Sequence, residues 1–106
     1  MPKYMVSGSY TTEGIRGVMK EGGSGRRKAV ESAVHALGGK LESMYYALGE
    51  TDVYVVLEIP DNVTAAALAM AVGGTGTVNI KTTALLTVEE VDQATKKIIS
   101  YRGAGQ

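Results

Sequence analysis

Apolar and polar residues alternate most cleanly over residues 52–59, where Val53, Val55, Leu57 and Ile59 share one parity and Asp52, Tyr54, Val56 and Glu58 the other. Successive side chains of a strand point to opposite faces, so this pattern predicts a strand with one core face and one mixed face. Residues 41–48 divide less cleanly, into Leu41, Ser43, Tyr45, Ala47 and Glu42, Met44, Tyr46, Leu48. That strand is expected to be partly covered on both sides. With a turn over residues 48–52, the two predict a β-hairpin at the centre of a small sheet.

Upstream, Tyr4, Val6, Gly8 and Tyr10 alternate with Lys3, Met5, Ser7 and Ser9, giving a first strand whose second parity is small and polar. Thr11 or Thr12 caps a helical segment with Ile15, Val18 and Met19 as its stripe. The glycine cluster at residues 22–25 reads as a break, and a second segment carries Val30, Ala33, Val34 and Leu37 to a stop at Gly38-Gly39. Downstream, Pro60-Asp61-Asn62 is a turn and cap. Residues 63–73 predict a helix that is apolar nearly all round, with one side on the sheet. Residues 77–83 form a fourth strand, with Val78, Ile80 and Thr82 against Asn79 and Lys81. Thr87-Val88-Glu89-Glu90 is a capping box that opens a third helix bearing Val91, Ala94, Thr95 and Ile98, and residues 101–106 are expected to fray.

The order βαββαβ plus a helix is the ferredoxin-like α+β plan, a four-stranded antiparallel sheet with both crossover helices on one face. The opposite face then carries Met5, Ser7, Ser9, Met44, Tyr46, Tyr54, Val56, Glu58, Asn79 and Lys81, too apolar for water. Two such sheets packed face to face would cover it, so a homodimer with a cavity between the sheets is expected.

At 106 residues the chain is expected to be one domain spanning residues 1–106. Eleven basic residues balance eleven acidic ones, which argues against a nucleic-acid or anionic-membrane surface. The absence of Cys excludes disulfides, thiolate catalysis and Cys-ligated metals, and a single His makes a transition-metal site implausible. No apolar run reaches membrane-spanning or signal-peptide length, so a cytoplasmic location is expected.

Candidate chemistry gathers on the open sheet face. Glu58, Lys81 and Asp52 are the ionisable groups expected to meet there as acid–base machinery, with Ser7, Tyr46, Tyr54 and Asn79 as ligand-binding walls. A Glu58–Lys81 ion pair that merely settles the sheet is the structural alternative. A second candidate is an anion site at Gly23, Gly25, Arg26 and Arg27; no strand precedes this cluster, so the dinucleotide and P-loop contexts are not met. No metal and no cofactor is called for. His35 follows Glu31 by one helical turn and reads as a surface pair before a general base. Pro2 could act as an amino-terminal base only with Met1 removed; with Met1 in place its nitrogen is an amide.

Several pieces together carry a resemblance: Pro2-Lys3-Tyr4, the run at residues 20–27, Leu37-Gly38-Gly39-Lys40-Leu41, the turn Gly49-Glu50-Thr51-Asp52 and Lys81-Thr82-Thr83. They resemble the GYD domain family, a group within the dimeric α+β barrels, over nearly the whole chain. The family's Gly-x-Tyr-Asp turn keeps Gly49 and Asp52 here but has Thr51 in place of the Tyr, so no role of that phenol carries over. The resemblance implies the dimeric barrel and leaves the activity open. Two functions are therefore carried forward. One is small-molecule binding, with cofactor-free oxygenase or isomerase chemistry in the cavity over the sheet; the other is a non-catalytic homo-oligomeric binding or assembly module.

Overall fold

A computed structural model describes residues Met1–Gln106. In chain order the elements are β1 (Lys3–Tyr10), α1 (Thr12–Ala36), β2 (Lys40–Tyr46), β3 (Val53–Glu58), α2 (Asn62–Gly73), β4 (Val78–Leu85) and α3 (Val88–Thr95). The four strands form one antiparallel sheet in the order β2-β3-β1-β4. With α1 and α2 on one face, this is the expected ferredoxin-like α+β arrangement. The hairpin is not the sheet's centre, however. Because β1 pairs with both β3 and β4, β1 and β3 are central and β2 is an edge.

The alternation of β3 holds as read. Val53, Val55 and Leu57 are buried under the helices with Tyr4, Val34, Ile59 and Ala65, and removing such side chains from water contributes about 1.5–3 kcal/mol each. The Tyr4 hydroxyl, buried with them, donates to the Asn62 side-chain oxygen at the start of α2. Asp61 caps that helix by accepting from the Thr64 N–H at 2.8 Å. The resulting charge-assisted bonds hold the Asp61 carboxyl below its ordinary pKa.

Thr11 caps α1, accepting from the Gly14 N–H at 3.2 Å while its own hydroxyl donates to the Gly76 carbonyl at 3.0 Å. The cap thus ties the start of α1 to the loop before β4. At Gly14 the helix comes so close to that loop that a Cβ would run into the Thr77 carbonyl. The glycine cluster breaks the helix at one residue only, Gly22, with φ 77° and ψ 166°; Gly23, Ser24 and Gly25 are helical. Two helical segments therefore meet at a kink with no intervening loop.

α1 lies along β2 and α2 along β4, and the two helices make little contact with each other. The gap between them leaves an apolar cleft of about 390 Å³ over the middle of the sheet. No helix is long and apolar enough to cross a membrane.

Candidate functional site

The uncovered face is built from register. Tyr45 lies opposite Tyr54, Tyr54 opposite Ser7, and Ser7 opposite Lys81, which makes a continuous row across all four strands. At the usual strand spacing that row spans about 14 Å. The next row toward one end is Ser43, Val56, Met5 and Thr83; toward the other, Ser9 lies opposite Asn79. An apolar middle is thus flanked by a line of hydroxyls that ends in an ammonium.

Lys81 is exposed and in no ion pair, whereas Glu58 is engaged elsewhere. Glu58 lies opposite Lys3, whose ammonium is 3.6 Å from its carboxylate and 3.1 Å from that of Glu42. Hydrogen bonding to Glu42, reinforced by both carboxylates' charge, raises the Lys3 pKa above its ordinary value. The expected meeting of Glu58 with Lys81 does not occur. Their partners on β1, Lys3 and Ser7, are four residues apart, so the two groups lie about 13 Å apart along the strand direction.

Asp52 is also elsewhere. Its carboxylate accepts from the Tyr10 N–H at 2.8 Å and its own N–H donates to the Gly8 carbonyl at 2.8 Å, so it ties the hairpin turn to the end of β1. Thr51, at the altered motif position, precedes this tie in the same turn.

Tyr46 and Met44 are corrected more sharply, because they lie on the helix-covered face. Leu41 faces Leu57 and Ser43 faces Val56, so Glu42 is an extra residue in β2, a β-bulge that inverts the parity of every residue after it. Met44 then falls opposite Val55 and Tyr46 opposite Val53, both core positions. The Tyr46 ring accordingly packs against Gly23 of α1. Tyr45 takes the place on the open face that alternation had assigned to Tyr46. Of the expected binding residues, Ser7, Tyr54 and Asn79 share that face with Lys81, and Tyr46 does not.

The Gly23–Arg27 segment is helical, and both of its guanidiniums already face carboxylates. Arg26 is 3.2 Å from Glu21 and Arg27 is 3.6 Å from Glu31. That second pair also takes Glu31 toward Arg27, leaving His35 exposed without a partner.

The cleft between the helices is a feature that periodicity did not reveal. Val6, Val55 and Ile80 floor it, and Val30 and Leu68 stand on its walls. Glu13, Glu21 and Arg26 are its charged groups, and Tyr10 and the threonines near β4 add hydroxyls. Burial pushes the Tyr10 phenol up to about 12, with Tyr46 adding to the effect, so it stays a neutral hydroxyl. No three His, Asp or Glu side chains converge as a metal site.

The chain is thus a ferredoxin-like α+β domain with one half-apolar open sheet face. The GYD domain model matches residues 4–95, and the chain belongs to that family. No curated protein matches it.

Proposed function

We propose that this GYD-domain protein is a homodimeric small-molecule-binding module whose two open sheet faces enclose a chamber for a small anionic ligand carrying a ring. The observation that carries this reading is the row Tyr45-Tyr54-Ser7-Lys81. Two phenols offer stacking surface and hydrogen bonds, a hydroxyl stands between, and an unpaired ammonium waits at the end. Met5 and Val56 beside the row give the second sheet an apolar surface to cover. In the Glu42-Lys3-Glu58 cluster one ammonium already serves two carboxylates, so Lys81, remote from it along the strands, is the face's unpaired cation.

Binding is favoured over oxygenase or isomerase chemistry because an acid and a base must reach the same bond. Glu58, Lys81 and Asp52 are held apart by register and by their own partners.

The test is native mass spectrometry of freshly purified protein, followed by titration with salicylate as a probe, read by amide NMR. The expected result is a dimer, with shifts at Ser7, Tyr54 and Lys81 that vanish in Lys81→Gln. A monomer overturns the pairing; salicylate shifts that persist in Lys81→Gln overturn the site.

A further inference from the structure

The cleft between α1 and α2 and the segment after β4 are two unpartnered apolar surfaces of one chain. We infer that residues 86–106 of one copy form an arm that seats in the helix-side cleft of a second copy. This inference uses surfaces separate from the open sheet face and stands independently of the binding reading.

The arm is a specified element. Thr87 Oγ1 accepts from the Glu90 N–H at 3.1 Å, and the Glu90 carboxylate accepts from the Thr87 N–H at 2.9 Å. An eight-residue helix so capped is still too short to persist by itself in water, so a surface is needed to hold it. Within its own protomer it has none, since no residue of α3 is buried. Leu86, Val88, Val91, Ile98, Ile99 and Tyr101 are all exposed, Ile98 fully at 100%. The molecule is drawn out to 55 Å in one direction against 33 and 23 Å in the others.

The cleft is the matching vacancy. Its 390 Å³ are bounded by aliphatic side chains because the two helices stand apart on the sheet. Charge points the same way. Glu13 lines the cleft and is in no ion pair, while Lys96, Lys97 and Arg102 flank the arm's Ile98, Ile99 and Tyr101 and are likewise unpaired. Burying the apolar pair would bring an ammonium toward that carboxylate.

A second copy is favoured over the arm's own protomer by where the arm departs. Leu85 lies opposite Lys3 at one end of the sheet, whereas Val78, opposite Tyr10, marks the end where Glu13 begins α1. The arm would have to reverse sharply to reach its own cleft, and residues 86–102 contain neither Gly nor Pro to turn it. Two-fold exchange needs no reversal and buries both arms at once.

The absence of Cys makes the test clean. Ile98→Cys and Ala29→Cys are introduced together, one on the arm and one on an exposed cleft position, and the full-length protein is oxidised mildly. The expected product is a covalent dimer, reduced at least about tenfold when Ile99→Asp is added. A covalent monomer overturns exchange in favour of folding back, and absence of any bond overturns the docking itself. Ile98→Cys with Ser43→Cys, on the open face, is expected to give no bond; crosslinking there overturns the choice of surface. Val56→Lys, which disrupts sheet pairing, is expected to leave the disulfide of the Ile98→Cys, Ala29→Cys protein in place, so failure of either interface is seen separately.

Discussion

Tyr4, Val55 and Leu57 meet Val34 and Ala65 beneath the helices, while Met5, Val56 and Tyr54, each one residue along the same strands, have nothing above them. The covered face holds the core and makes the fold. The uncovered face takes little part in that core, and its side chains are correspondingly free to serve a ligand or a partner. Substitution should therefore damage stability on one side of the sheet and recognition on the other.

Ile59→Ala probes the covered side hardest. The side chain is fully buried, so a loss of about 2–5 kcal/mol is expected in denaturant melts. Gly14→Ala should follow, at about 1–3 kcal/mol, because the added methyl must displace the Thr77 carbonyl. Thr11→Ala removes the α1 cap and its ties to the Gly76–Thr77 loop, for about 1 kcal/mol. Lys81→Gln on the open face should change stability by less than about 0.5 kcal/mol while abolishing salicylate binding; a large stability loss there would break the division between the faces.

The covered side should also carry a signature at high pH. Tyr10 is held near pKa 12 in the folded protein, against about 10 for an unperturbed Tyr. Between those values the folded state keeps a proton that the unfolded state has lost. Stability is therefore unaffected by this group below about pH 10 and falls as pH rises from there through about 12. Tyr10→Phe should flatten that fall in alkaline unfolding curves.

How much could be read beforehand differs strand by strand. β3 was fully legible because Val53, Val55 and Leu57 alternate without interruption and no irregularity shifts them. β2 was legible only to Leu41, since the bulge at Glu42 depends on how two strands match in three dimensions and no Gly or Pro announces it. The capping box at Thr87 was plain, being a contact between neighbours in sequence. Ser7, Tyr54, Asn79 and Lys81 share one face by parity alone, and the register keeps them there. Parity says nothing of distance along a strand, and so Glu58 and Lys81 looked like partners. The cleft was invisible for a related reason: each helix shows its own stripe, and the gap between two helices belongs to neither.

The bulge at Glu42 also decides how the sheet can grow. Strand order leaves two edges, β2 and β4, each with backbone groups facing outward. The irregular edge of β2 is a poor template for another strand, whereas β4 runs eight residues without a break in register. The β4 edge is thus the more regular template for backbone pairing, and the β2 edge the poorer one. If two copies join through β4, both outer rims are bulged, and the ribbon ends at eight strands instead of propagating toward a fibre.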